Sequence, residues 1–326
     1  ATAKHGSTTA NTAWNGTTKV TSTKFINLTS TDGATVTVKA NWTENSYTVT
    51  FKNVYDSFVI KVVKADGTVR TTKTITSTDN TIVVYYTDML TIGSIGVDKT
   101  PDGTTITKVV AGTNPTRLGY TLGDGGGSSE KYFKIETANT TWIRYDGWYW
   151  RGDPGTILYT IAFTWSHFTA NATAELLWTA NAYTIKTVKN NGTTDGTYSI
   201  AYDSSATEIP APSRTGYTFK GWTVSGDLDT ATAKWGTSAS TVTTSVSNNT
   251  ITTTGSIFVK NLSSTNGGTV TLTAIWEENS FTLTFVNIYN DTVIKIVKNN
   301  GEVRETKTLT STNNTVKFYY TDIITF

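Results

Sequence analysis

Side chains that could bind a ligand are concentrated in one stretch of the sequence, the aromatic and arginine residues of segment 142–151. Asp146-Gly147 at its centre favours a hairpin turn, which places Tyr145 opposite Trp148. The other face of the hairpin then carries two arginine–aromatic pairs, a pattern typical either of a decorated surface above a core or of a platform for sugar rings. The residues of this candidate site are Trp142, Arg144, Tyr149 and Arg151.

The rest of the sequence contains no pattern typical of catalysis. The chain has no Cys, which excludes thiol nucleophiles, thiolate metal sites and disulfides. His5 and His167 lie far apart and lack the carboxylate spacing of a metal site. Arg151-Gly152-Asp153 matches an integrin-binding tripeptide, but Arg151 falls within a predicted strand rather than at a loop tip. We therefore predict that the protein is not an enzyme and has no cofactor and no metal.

The composition predicts a folded all-β chain with little helix. Of 326 residues, 73 are Thr and 12% are aromatic, and these residue types fit half-buried strands. A net charge of +2, with both signs interspersed, does not favour a nucleic-acid partner. No apolar stretch reaches the roughly 20 residues that a membrane-spanning helix needs.

An internal repeat defines the organisation. The sequence around Trp42 returns around Trp276, and with the same offset Val59-Ile60-Lys61 returns as Val293-Ile294-Lys295 without a gap. A weaker copy lies around Trp178. The repeating unit therefore alternates a long module, counted from Trp42 to Trp178, with a short one, counted from Trp178 to Trp276.

The repeat predicts four segments in an elongated tandem array of small β modules. Residues 1–46 form the C-terminal part of a short module, and residues 47–182 form a long module with an inserted hairpin between about Lys52 and Thr113. Residues 183–280 form a short module, and residues 281–326 form the N-terminal part of a second long module. We expect the chain to be a section of a longer array, or a subunit that neighbouring chains complete.

Strands with one buried face are predicted at the ends of the modules. Apolar residues alternate in the segment up to each repeated tryptophan, at 36–42, 172–178 and 270–276, and alternation resumes at 47–51 and 281–285. Modules are thus joined by about four residues, so we expect neighbours to pack close to the tryptophans and the array to be semi-rigid. Asp66-Gly67 and Asn300-Gly301 predict type I′ hairpin turns.

A motif in the short module resembles a known family. The segment Ile209-Pro210-Ala211-Pro212-Ser213-Arg214-Thr215-Gly216-Tyr217-Thr218-Phe219-Lys220-Gly221-Trp222, with Val270 to Trp276 later, is similar to the Listeria–Bacteroides repeat, the B-repeat type of internalins. Asn114-Pro115-Thr116-Arg117-Leu118-Gly119-Tyr120 is a degenerate version in the long module. The motif residues are Trp42, Trp178, Trp276, Pro115, Gly119, Tyr120, Pro212, Arg214, Gly216, Tyr217, Phe219 and Trp222.

The resemblance implies a small β-grasp-like module, found in tandem on secreted bacterial surface proteins with structural or adhesive roles. We expect a structural, non-catalytic segment of a giant extracellular filament, stalk or adhesin at the cell surface. Its partners would be neighbouring repeats of the same protein, in a homopolymer or a lateral bundle. The alternative is a module that binds a glycan or a host protein through the aromatic hairpin. A third interpretation is a non-catalytic region of a secreted polysaccharide-degrading enzyme.

Overall fold

The protein is built almost entirely from β-strands, which confirms the all-β prediction. The computed structural model describes residues 2–99, 105–110, 112–123, 133–136, 164–166 and 168–326. Within those ranges the helical structure is a single 3₁₀ turn, Ala239–Thr241. The N-terminal segment contains β1 (Lys4–Gly6), β2 (Thr12–Ala13) and β3 (Lys24–Ile26). These strands form a three-stranded sheet of order β2-β1-β3.

The long module contains two sheets around one core. Its strands are β4 (Ser46–Lys52), β5 (Phe58–Val63), β6 (Val69–Ile75), β7 (Thr81–Tyr85), β8 (Met89–Thr91), β9 (Ser94–Lys99), β10 (Thr105–Val110), β11 (Tyr120–Leu122), β12 (Phe133–Glu136), β13 (Thr164–Ser166), β14 (Ala172–Leu176) and β15 (Trp178–Ala180). The main sheet has the order β12-β14-β4-β7 and the second sheet β13-β8-β5-β6, and β11 pairs separately with β15. Buried side chains between the sheets include Phe51, Ile60 and Leu176.

The short module has the same plan without the insertions. Its strands are β16 (Ala182–Val188), β17 (Gly196–Ala201), β18 (Thr207–Ile209), β19 (Tyr217–Gly226), β20 (Lys234–Gly236), β21 (Thr244–Ser245), β22 (Thr250–Thr252), β23 (Ile257–Lys260) and β24 (Thr269–Glu278). The main sheet has the order β17-β16-β24-β19-β22, and the second sheet β18-β23-β20-β21. Trp222, Tyr183 and Ile185 are fully buried between them.

Both modules place their first and last major strands side by side and parallel at the centre of the main sheet. In the short module β16 pairs with β24, and in the long module β4 pairs with β14. The remaining pairs described in the two main sheets are antiparallel. This placement of the terminal strands is that of a β-grasp sheet, but among the described residues a second sheet rather than a helix packs against it.

The C-terminal segment repeats the start of the long module. Its strands are β25 (Ser280–Thr284), β26 (Thr292–Val297), β27 (Val303–Leu309), β28 (Thr315–Tyr319) and β29 (Ile323–Thr325). The last four begin at the positions that correspond to the starts of β5, β6, β7 and β8, with the offset that separates Trp42 from Trp276. The equivalent strands also pair in the same way. Ile294, Ile296, Leu309 and Val316 form a small core.

The extra length of the long module contains two hairpins rather than the one predicted. The β5–β6 hairpin extends the second sheet beyond β8, and β9 pairs with β10 in a separate ribbon. The turn of the first hairpin also differs from the predicted type I′. Lys64 N donates to Thr68 O and only Gly67 has a positive φ, so the turn is a three-residue loop whose glycine adopts the left-handed conformation.

The predicted strand at 36–42 does not form. Trp42 is 89% exposed, and Val36 and Val38 are also exposed. In the short module the equivalent strand, β24, is held between β16 and β19. Among the described residues no strand pairs with residues 36–42, so this apolar face is uncovered. Phe281 and Leu283 in β25 are also exposed, because in the described structure β25 pairs with β28 only, whereas β4 pairs with both β7 and β14.

The contrast between two tryptophans gives a test of this core. Trp222 is completely buried, so Trp222→Ala should lower the free energy of unfolding of the short module by about 3–5 kcal/mol through lost burial and the resulting cavity. Trp42→Ala, at the exposed position, should change the stability of its own segment by less than about 0.5 kcal/mol. Denaturant-dependent hydrogen exchange measures the first effect within residues 183–280 and the second within residues 1–46, and equal effects would contradict the core assignment.

Candidate functional site: the junctions between modules

The long module meets the short one through a single asparagine, Asn181, which lies between β15 and β16; we call this the first junction. Asn181 N donates to Gly119 O at 2.9 Å, and Asn181 O accepts from Tyr202 N at 2.8 Å. Thr121 Oγ1 donates to Asn181 Oδ1 at 2.6 Å. The Tyr202 ring, which belongs to the short module, packs edge-on against Tyr120 with centroids 5.9 Å apart. Asn181 is therefore bonded to both modules at once.

The short module meets the following segment in the same way at Asn279, between β24 and β25; this is the second junction. Asn279 N donates to Gly216 O at 2.8 Å, and Asn279 O accepts from Tyr320 N at 3.0 Å. Thr218 Oγ1 donates to Asn279 Oδ1 at 2.7 Å. The Tyr320 ring packs against Tyr217 with centroids 6.3 Å apart. Two modules of different length thus use one set of contacts.

A glycine makes room for the incoming tyrosine at each junction. Gly119 and Gly216 have φ values of +75° and +79°. A Cβ atom on Gly119 would lie 2.2 Å from the Tyr202 ring, and one on Gly216 would lie 2.0 Å from the Tyr320 ring. Both the backbone conformation and the close approach of the ring require glycine here. The Gly-Tyr pair of the motif is therefore a socket for the next module.

An arginine from the same motif stacks on the socket tyrosine. The Arg117 guanidinium carbon lies 3.4 Å from the centroid of Tyr120 and 3.8 Å from that of Tyr55. Arg214 lies 3.8 Å from the centroid of Tyr217. Cation–π contacts of this kind contribute about 0.5–1 kcal/mol at exposed sites. They hold the tyrosine ring in the position that receives its neighbour.

Polar contacts beyond the socket differ between the two junctions. At the first, Tyr120 OH donates to Asp203 Oδ2 at 3.1 Å, and Asn261 Nδ2 donates to the other oxygen of that carboxylate. Burial, together with the hydrogen bond to Asp203, raises the pKa of Tyr120. Asn181 Nδ2 donates to Ser264 O at 2.7 Å. The first junction is held by neutral donors and one carboxylate.

The second junction contains a charged cluster instead. Glu278 Oε1 accepts hydrogen bonds from the backbone N and the hydroxyl of Thr321, and Arg304 Nη2 lies 3.1 Å from Glu278 Oε2. Arg304 also pairs with Asp322, whose carboxylate is fully buried and accepts from Tyr319 N. The hydrogen bonds from Thr321 and the charge of Arg304 lower the pKa of Glu278. Ala180 occupies the corresponding place at the first junction.

The charged cluster also occurs at the start of the long module. Arg70 bridges Glu44 and the buried Asp88, and Thr87 Oγ1 donates to Glu44 Oε1 at 3.1 Å. The side chain of Glu44 is 47% exposed, compared with 20% for Glu278 at the second junction. The cluster thus accompanies the entry into a long module.

The repeated tryptophans contact their own modules rather than the neighbouring ones. Trp276 Nε1 donates to Lys189 O, and its ring packs on Phe219, both within the short module. Trp178 Nε1 donates to Asn53 O within the long module. This differs from the expectation that tryptophan anchors the junction, because each indole is hydrogen-bonded to a backbone carbonyl of its own module. Each of these two tryptophans instead closes its module beside the junction.

The remaining motif residues divide between core and junction. Phe219 and Trp222 are buried in the short module, and Pro115 is buried and Pro212 half-buried ahead of the sockets. The ligand-binding candidates Trp142, Arg144, Tyr149 and Arg151 lie outside the described residues, as does His167. His5 lies with Nδ1 2.6 Å from Ser22 Oγ.

The sequence interpretation missed the residues that make the junction. These were the asparagine at the third position after each repeated tryptophan and the tyrosine that it pairs with. Asn45, Asn181 and Asn279 share that spacing, which was a usable signal. The tyrosines were harder to find, because Tyr320 follows its asparagine at about twice the sequence separation at which Tyr202 follows its own.

Neither a metal-binding cluster nor a membrane-spanning helix occurs among the residues with described positions. No group of three or more His, Asp or Glu side chains there could hold a metal ion. In the same part of the chain, no helix is long and apolar enough to cross a bilayer.

Comparison with known proteins gives no family assignment. No family model matches the chain, and no curated protein matches it. Among solved structures, the TIE protein of Bacillus anthracis is 7% identical with a TM-score of 0.25, covering 89% of this chain and 70% of that one. The major pilin subunit of Bacillus cereus is 10% identical with a TM-score of 0.21, covering 85% of each chain. The major pilin of Streptococcus pyogenes is 10% identical with a TM-score of 0.18, covering 86% of this chain and 94% of that one.

Substituting the socket glycine should loosen the second junction. Gly216→Ala combines a strained φ with a collision against the Tyr320 ring, whereas Gly192→Ala has the same φ of +79° but open space around its Cβ. We expect Gly192→Ala, the control, to destabilise the protein by about 1 kcal/mol. Gly216→Ala should destabilise it by at least that amount and should also disrupt the second junction. Protease cleavage near Asn279, followed by mass spectrometry, should accelerate only in Gly216→Ala. Equal cleavage of both variants would contradict the socket.

Acid should weaken the second junction through Glu278. Its pKa is lowered in the folded protein, so its contribution is complete above the ordinary glutamate pKa and is lost as pH falls through the lower folded value. Glu278→Gln should destabilise the junction by about 1 kcal/mol at neutral pH and remove this acid dependence. Glu277→Gln is the control, because Glu277 pairs with Lys220 inside the short module. The Thr321 amide resonance reports the titration, and a midpoint at or above the ordinary glutamate pKa would contradict the assignment.

Proposed function

We propose that this chain is a non-catalytic structural segment of a tandem-repeat filament, stalk or adhesin on the surface of a bacterial cell. The observation that carries the proposal is the repeated junction, in which an asparagine, a glycine socket and a tyrosine recur at both module boundaries. An enzyme needs a site where reactive groups converge, whereas a filament needs the same contact at every boundary.

The junction supports stiffness rather than flexible tethering. One residue separates β15 from β16, and one separates β24 from β25. That residue is hydrogen-bonded on both sides, and a ring from the next module fills the socket. Bending at the boundary would break these contacts together, so neighbouring modules are held in one relative orientation. Reach and stiffness are the properties that such a construction provides.

The resemblance to the Listeria–Bacteroides repeat fits this proposal. In the described structure its Arg, Gly and Tyr positions form the socket, so the motif would mark a module that accepts another one behind it. The proposed partners are accordingly neighbouring repeats of the same protein, joined end to end or bundled laterally. The proposed location is extracellular.

Imaging of the native protein tests the proposal. Negative-stain electron microscopy should show thin, stiff rods with a repeating distance set by one long and one short module. Rods that bend freely at every module, or compact particles, would contradict it. The double variant Gly119→Ala/Gly216→Ala serves as the flexible comparison. The double variant Gly192→Ala/Gly67→Ala is the matched control, because a Cβ atom at either of these positions meets open space.

A further inference from the structure

The central strand pair of the short module joins the two ends of that module. β16 and β24 run parallel and in register from Thr184 with Thr269 to Val188 with Thr273. Two further backbone bonds extend the pair at its start: Gly267 N donates to Ala182 O at 2.7 Å, and Thr184 N donates to Gly268 O at 2.8 Å. The strand through which the chain enters the module is thus bonded directly to the strand through which it leaves.

Tension along the array would enter and leave through the opposite ends of this pair. The preceding strand β15 connects to the start of β16 through Asn181 alone, and the end of β24 connects to β25 through Asn279 alone. Because β16 and β24 are parallel, the start of one and the end of the other lie at opposite ends of the pair. A pull on the two neighbours therefore slides the strands past each other and loads all their hydrogen bonds together.

The bonds between these strands are also protected from water on one side. Tyr183, Ile185 and Thr187 of β16 are buried, as are Val270 and Leu272 of β24. A single hydrogen bond adds little net stability, because water replaces it once it is broken. A set of bonds that must break simultaneously, under a packed apolar layer, resists force much better than the same bonds opened in succession.

We propose that each module is a mechanical clamp, in which the parallel pair of terminal strands carries tension along the array in shear. The long module has the same arrangement, with β4 and β14 parallel from Val49 with Ala172 to Lys52 with Glu175. Asn53 Nδ2 adds bonds to Glu175 Oε1 and Leu176 O at the end of that pair. This inference deepens the proposed function and rests on it for the source of the tension.

Single-molecule force spectroscopy tests the clamp by changing only the direction of pull. The chain has no cysteine, so introduced thiols give unique attachment points. In the first geometry, handles at the two chain termini load β16 and β24 in shear. In the second, a handle at Thr194→Cys, in the exposed loop after β16, and one at the C-terminus pull the same pair apart from its shared end, one bond after another.

The unfolding force of the short module should be at least roughly twofold higher in the first geometry, because its inter-strand bonds must break together. The length released identifies the module, roughly 300 Å for the short one and roughly 450 Å for the long one. Equal forces in the two geometries would overturn the clamp. Pulling the Thr194→Cys protein by its termini, with the thiol blocked, must retain the high force, and its loss there would show a damaged fold. If electron microscopy shows stiff rods but the two pulling geometries give equal unfolding forces, only the clamp is refuted. If the forces differ strongly but no rods are seen, only the proposed filament is refuted.

Discussion

The contact between modules depends on a glycine, because the next module docks where a side chain would otherwise lie. At Gly119 and Gly216 the ring of a tyrosine from the following module occupies the space of a Cβ atom. That close approach lets the asparagine between the modules bond to both sides, with its N–H directed to the glycine and its carbonyl to the tyrosine. The arginine stacked on the socket tyrosine and the polar contacts around it adjust the strength of the contact between modules. That contact forms only because the glycine leaves room for the incoming ring.

One socket serves two kinds of module because the insertions lie away from it. The β26–β27 hairpin, which corresponds to β5–β6, increases the distance in sequence between Asn279 and Tyr320, yet Tyr320 makes the same contacts at the second junction as Tyr202 makes at the first. The hairpin pairs with β29, whereas the second junction lies between the end of β24 and the start of β25. A module can therefore change in length while the contact between neighbours is preserved. The charged cluster of Glu278, Arg304 and Asp322 is the main chemical difference between the two junctions.

The sequence predicted much of the fold, because two-residue periodicity and a long internal repeat can both be read without knowing any contact. The all-β class and the strands that lead to Trp178 and Trp276 follow from them, and the β-grasp order came from the family resemblance. The prediction of a strand at 36–42 was wrong, because alternation of apolar residues indicates a face that can be buried but does not show whether partner strands cover it. The turn at Asp66-Gly67 was also wrong, because the dipeptide fits two loop lengths. The role of the tyrosines could not be predicted from spacing alone, because the contact crosses a module boundary and its sequence separation varies.

The most direct measurement is the distance between spin labels placed on either side of the second junction. Thr223 in β19 and Thr308 in β27 are exposed strand residues on the short module and on the segment that follows it. Since the chain has no native cysteine, two introduced cysteines carry the labels without interference. The socket predicts one narrow distance distribution in the unmodified background. A broad distribution, with the labels sampling many separations, would show that the modules swing independently and would contradict the account.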